Sequence, residues 1–157
     1  MNNNTSSSSS NRIDAVFLVH YDTSYEPVAD ADDMASLIDD DADMINPQGT
    51  QGMSYWLGVQ DSDNEDHPMR EPVLRVDLDP ETGAGALRWL ADHLVGVEDG
   101  YTPQVVVVCE SSADPLVWVP ASIGRVSYDA ARAAAVRYIE TGRLPENVTW
   151  VDAEPTA

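Results

Sequence analysis

Apolar residues along this chain fall mostly into short runs with a period near two, and helical three-to-four spacing is confined to two stretches. Residues 13–21 (IDAVFLVHY) are apolar on both faces in the middle, which predicts a strand covered on both sides. Residues 23–27 carry turn chemistry. Asp30 then fits a helix N-cap, with Asp32 and Asp33 in the favourable first turn and Met34, Leu37 and Ile38 as a short apolar stripe. That pattern predicts a brief helix over residues 31–40. Asn46-Pro47-Gln48-Gly49 breaks the chain before residues 53–59, a predicted strand carrying Tyr55 and Trp56.

Residues 61–68 (DSDNEDHP) read as an exposed acidic loop. Leu74, Val76 and Leu78 alternate with Arg75 and Asp77, so this strand is expected to have one buried face and one wet face. Residues 79–83 (DPETG) supply a turn, and residues 84–91 return as the second arm of an antiparallel hairpin. A polar stretch through Gly100 precedes residues 104–110, whose valine run suits a central strand, with residues 116–119 returning beside it. The clearest helix comes late. Ser127 caps it, Asp129 lies in its first turn, and Tyr128, Ala131, Ala135 and Tyr138 keep the spacing of a buried face. Gly142 stops it, Pro145 prevents continuation, and residues 148–151 form a last short strand with Trp150. Strands outnumber helices and no internal repeat is present. The predicted class is α+β: a mainly antiparallel sheet with a short N-terminal helix and a longer C-terminal helix packed against it.

Composition adds boundaries. A chain of 157 residues with 43% hydrophobic content suits one core, predicting a single domain over residues 12–157 behind a disordered tail over residues 1–11 (MNNNTSSSSSN). That tail has no basic start, apolar run or small-residue cleavage site, so it is not read as a secretory signal. No apolar stretch approaches the roughly 18 residues a membrane span needs, and the single Cys109 has no internal disulfide partner. The expected location is the cytoplasm, which leaves the Asn147-Val148-Thr149 triplet without meaning.

Charge changes the picture most. Asp and Glu number 28 against 8 Lys and Arg, giving a formal net charge of -20, and lysine is absent. Such a surplus repels nucleic acid and anionic membrane and steers the chain towards a basic partner. Asp39, Asp40, Asp41 and Asp43 crowd the predicted helix end, where the macrodipole disfavours each exposed anion by roughly 0.3–1 kcal/mol. Folding does not explain them. Asp61, Asp63, Glu65 and Asp66 make the densest acidic loop outside that helix, and these eight residues are the candidate partner-binding set. Solubility or adaptation to high salt would also produce an acidic surface, and a GC-rich gene alone disfavours lysine.

The ingredients of catalysis are sparse. His20, His67 and His93 are dispersed without metal-ligand spacing, and Cys109 ends a valine strand with no basic neighbour to activate it. Asp61-x-Asp63-x-Glu65 alternates oxygen ligands, but a calcium loop requires glycine where Asp66 stands and glutamate where Pro72 stands. Gly83-Ala84-Gly85 lacks the following glycine and helix of a dinucleotide site. No catalytic, metal or cofactor residue is assigned, and the chain is read as a non-enzyme. Trp56, Trp89, Trp118 and Trp150 all fall in predicted strands and are expected in the core; an exposed one would anchor a protein partner.

Residues 130–150 (AARAAAVRYIETGRLPENVTW) and 73–90 (VLRVDLDPETGAGALRWL) resemble the immunity proteins that protect GC-rich bacteria from polymorphic toxins, in particular the family paired with deaminase toxins. The resemblance extends loosely over residues 13–152. It implies a non-enzymatic inhibitor that occludes a cognate toxin domain with a basic surface. Outside a toxin system, the same acidity would suit an adaptor or nucleic-acid mimic for another basic protein.

Overall fold

The structure, a computed structural model, describes residues 16–61 and 68–153. The predicted N-terminal tail, the start of the first predicted strand, His67, Asp63, Glu65 and Asp66 lie outside the described residues. Among the described residues the order is β1 (Phe17–Tyr21), β2 (Ser24–Val28), α1 (Ala31–Ala42), β3 (Met53–Val59), β4 (Leu74–Asp79) and β5 (Ala84–Trp89). There follow β6 (Leu94–Val97), β7 (Val106–Val108), β8 (Val117–Val119), β9 (Val126–Ser127), α2 (Tyr128–Thr141) and β10 (Thr149–Asp152). The molecule is α+β, with one large antiparallel sheet in the order β10-β6-β5-β4-β3-β1-β2. β9 joins it beside the start of β5, and β7 pairs with β8 in a separate two-stranded sheet.

Both helices begin as their sequences demand. Asp30 accepts the Asp33 N–H at 2.9 Å while Asp33 accepts the Ala29 N–H at 2.9 Å, and Ser127 accepts the Ala130 N–H at 3.1 Å. Gly142 ends α2 in the left-handed region at φ 68°, its N–H donating to the Tyr138 carbonyl. α2 lies across β4 and β5, and α1 packs beside it. Its small face of Ala131, Ala134 and Ala135 lets Tyr138 and Ile139 sink among Phe17, Val76 and Leu87, with Met34 and Ile38 completing the core from α1. Aromatic edges tie the ends together: Phe17 meets Tyr138 at 5.3 Å, and Trp89 meets Tyr138 at 5.8 Å and Trp150 at 6.3 Å.

The other sheet face departs from expectation. β4 is buried on both sides, not wet on one, because the β7–β8 hairpin covers it. Val106, Val108 and Val119 pack there against Ala84 and Ala86, forming a second small core. Residues 104–110 are therefore not a central strand of the main sheet. Gly52 permits the close approach of β7, since a Cβ there would stand 2.0 Å from the Val107 carbonyl oxygen. Covered in this way, the polar residues of β4 satisfy one another. Asp77 is 0% exposed and accepts from Ser54 at 2.6 Å, while Arg75 reaches Asp77 at 3.0 Å and Glu110 at 2.6 Å, and Arg88 reaches Asp77 at 3.3 Å.

Three further differences concern missed or misplaced elements. The expected turn over residues 23–27 is the edge strand β2, and the turn shrinks to Asp22 and Thr23 at φ 43° and 70°, as a tight antiparallel hairpin requires. The polar stretch before Gly100 contains β6, entered through His93 at φ 56°. α1 runs to Ala42, past the expected end at Asp40. Of the four tryptophans, Trp118 on β8 is 69% exposed, contrary to its predicted place in the core.

Candidate functional site

The candidate surface begins at the end of α1. Asp39, Asp40 and Asp41 occupy its last turn, Asp43 is its C-cap, and no basic side chain offsets them within that turn. Their fates differ. Asp39 takes both ends of the Arg132 guanidinium at 2.8 Å, a bidentate clamp between α1 and α2 that holds its carboxyl below the ordinary value. Asp41 accepts the Tyr55 hydroxyl at 2.9 Å, yet burial pushes its carboxyl up, and the nearby charges of Glu26 and Asp40 act in the same direction. Asp40 and Asp43 are exposed. Among the described residues, Asp40, Asp41 and Asp43 form no ion pair.

The β1–β2 hairpin adds two more acids to this end. Asp22 accepts the Ser112 N–H at 2.6 Å, and Glu26 accepts the Tyr21 hydroxyl, whose proton burial and the surrounding carboxylates make harder to lose. Between the hairpin and the helix end runs a groove of about 230 Å³, lined by Tyr21, Asp22, Asp41, Met44, Ile45 and Met53. Met44 and Ile45 stand 63% and 69% exposed. Their loop is nonetheless well held. Asn46 donates to Thr50 at 2.8 Å and to the Gly52 carbonyl at 3.1 Å, and its own oxygen accepts the N–H groups of Gln48 and Thr50. Gln51 caps the helix by donating to the Ala42 carbonyl at 2.8 Å. A fixed loop thus presents two apolar side chains beside carboxylates.

The structure brings four of the eight sequence-predicted site residues, Asp39, Asp40, Asp41 and Asp43, to one end of the molecule. Asp61 is partly buried, and its N–H donates to the Pro68 carbonyl at 2.7 Å. Its companions Asp63, Glu65 and Asp66 lie outside the described residues. Sequence reasoning missed Asp22, Glu26, Met44 and Ile45. The one available signal was the apolar pair Met44-Ile45, which falls outside the α1 stripe and before the Asn46-Pro47 break.

On the opposite sheet face, paired positions form a row across four strands: Tyr25, His20, Trp56 and Arg75. Tyr25 stacks on His20 at 4.4 Å, His20 lies 5.6 Å from Trp56, and the Arg75 guanidinium sits 4.6 Å over the Trp56 ring. Burial disfavours the charged form of His20. Cys109 is buried, and burial, Asp22 and Glu110 all push its thiol up, opposite to what a nucleophile needs. Among the described residues, no group of three or more His, Cys, Asp and Glu side chains is placed to hold a metal ion, and no helix is long and apolar enough to cross a membrane.

No curated protein matches the chain. A family model does, the one described as Immunity protein Imm1, and its match over residues 22–152 runs from the β1–β2 turn to the last residue of β10. With the acidic helix end and both helices inside that span, the chain belongs to the Imm1 family of immunity proteins.

Proposed function

We propose that this chain neutralises a cognate toxin domain by stoichiometric occlusion, in the cytoplasm and without catalysis, cofactor or metal. The toxin is a nucleic-acid deaminase. Family membership supports the immunity role, and the gathering of uncompensated carboxylates at the end of α1 carries the choice of partner. An enzyme acting on nucleic acid presents basic surface to phosphates and a pocket to an extruded base, so an acidic protein can take the place of its substrate. Asp40, Asp41 and Asp43, with Asp61, Asp63, Glu65 and Asp66, are the proposed toxin-facing residues. Asp39 belongs to the same set, but its carboxylate is already engaged by Arg132.

The test is co-expression with a candidate toxin domain, first the product of the gene neighbouring this one. The two should co-purify as a stable complex, and deamination of single-stranded substrate should fall linearly to zero as the ratio approaches equimolar. Inhibition at a small fraction of equimolar would mean catalysis. Absence of a complex would remove the immunity reading of the surface, and a toxin that converts neither cytosine nor adenine would remove the deaminase.

A further inference from the structure

We propose that the groove between α1 and the β1–β2 turn receives one arginine or lysine side chain of the toxin domain, its aliphatic stem lying on Met44 and Ile45 and its cationic head meeting Asp22 and Asp41. This rests on the inhibitor reading above and names the point of engagement. Met44 and Ile45 stand side by side in an ordered loop and so offer a partner a small continuous apolar surface. Neither Met44 nor Ile45 packs into the cores that hold the fold together.

Charge decides what covers them. Asp41 and Asp22 line the groove, the charges of Glu26 and Asp40 both act on Asp41, and none of the four is ion-paired among the described residues. An apolar occupant would bury these carboxylates further with no counter-charge, which opposes binding. A cationic head offsets them, and only Arg and Lys also carry an apolar stem long enough to lie along Met44 and Ile45. Among the described residues, four of the chain's own guanidiniums are engaged elsewhere, Arg75 and Arg88 with Asp77, Arg132 with Asp39, and Arg137 near Glu140, and no arginine lines the groove.

Binding of the full chain to the toxin domain is measured for Asp41→Asn, Ile45→Ser and, as a control at the far end of α1, Asp32→Asn. Asp41→Asn should weaken affinity by about tenfold or more, mainly through faster dissociation, and Ile45→Ser by several-fold. Asp32→Asn should stay within about twofold. Substituting each arginine and lysine of the toxin in turn, one should show strong non-additivity with Asp41→Asn in a double-mutant cycle. Parent-like affinity for both groove variants, or no coupled toxin residue, overturns the groove while the inhibitor reading stands. If the parent chain itself does not bind, the inhibitor reading falls and this inference with it. Ile45 is exposed, so its variant remains informative should Asp41→Asn fold poorly.

Discussion

Asp77 shows how one residue can be misread from the pattern around it. Its alternation with apolar neighbours on β4 is that of a solvent-facing position, and nothing local in the sequence says that a distant hairpin will cover it. Once covered, its carboxylate is the common counter-charge of Arg75 and Arg88, and burial that would by itself oppose the charge on Arg75 is outweighed by Asp77 and Glu110. Asp77→Ala should therefore lower unfolding free energy by about 3–5 kcal/mol in urea titrations, because the partly buried Arg88 guanidinium loses its ion-pair partner and the buried Arg75 keeps Glu110 alone. A loss under about 1 kcal/mol would show that the arginines simply turn to solvent. Thr23 makes the opposite case. A β-branched residue at φ 70° is strained, so Thr23→Gly should raise stability by about 1 kcal/mol, read as a higher urea midpoint. For Asp41 the folded state holds its proton more tightly than the unfolded chain, because of burial and the charges of Glu26 and Asp40, partly offset by the Tyr55 hydroxyl. Its contribution to stability then falls as pH rises from the ordinary carboxylate range through its raised value. Asp41→Asn should remove that fall, making the variant at least as stable as the parent at neutral pH and no more stable in acid.

Elements were legible where a local signal and the tertiary packing agreed. The N-caps Asp30 and Ser127, the Gly142 stop, β3 and the β4–β5 hairpin all have their cause within a few residues. β2 and β6 lack one: β2 exposes Ser24, Tyr25, Glu26 and Pro27 at the sheet edge, so it has no apolar alternation, and β6 is only four residues long. The valine run of β7 did indicate a buried strand, but burial by a sheet stacked upon it and burial within a sheet leave the same sequence pattern. The site was partly legible for a related reason. Acidic residues at a helix end are visible in one dimension, whereas their meeting with Asp22 and Glu26 depends on the β1–β2 hairpin folding back. The C-terminal strand tests the packing of these elements. Trp150 on β10 packs against the main core, edge-on to Trp89, and donates its indole N–H to the Pro145 carbonyl at 2.7 Å. Being only partly buried, it should cost Trp150→Ala towards the lower end of about 3–5 kcal/mol, with reduced soluble yield. Trp118→Ala should leave the melting temperature unchanged, and a fall comparable to that of Trp150→Ala would place Trp118 in a packed contact.

At the scale of the whole molecule the charge of -20 acts in two ways that salt can separate. Self-repulsion among like charges weakens the folded state, so screening should stabilise it, and the melting temperature should rise as ionic strength increases from about 0.01 M, where the Debye length is about 30 Å, to about 0.1 M, where it is about 10 Å. Steering towards the basic toxin surface proposed above should respond in the opposite sense, with association slowing over the same range. Asp61, Asp63, Glu65 and Asp66, in the segment that the sequence predicts to be an exposed loop, contribute four of those charges, and a loop can present charge without disturbing a core. Replacing these four with Asn or Gln should slow association with the toxin domain by about tenfold at low salt, flatten its salt dependence, and change dissociation far less, because long-range steering acts before contact. Stability should hold or rise slightly as repulsion falls. An unchanged association rate would remove this loop from the binding face and leave the end of α1 as its acidic part. If neutralising the loop together with Asp39, Asp40, Asp41 and Asp43 left protection against the toxin intact, the acidity would be a property of solubility and not of recognition.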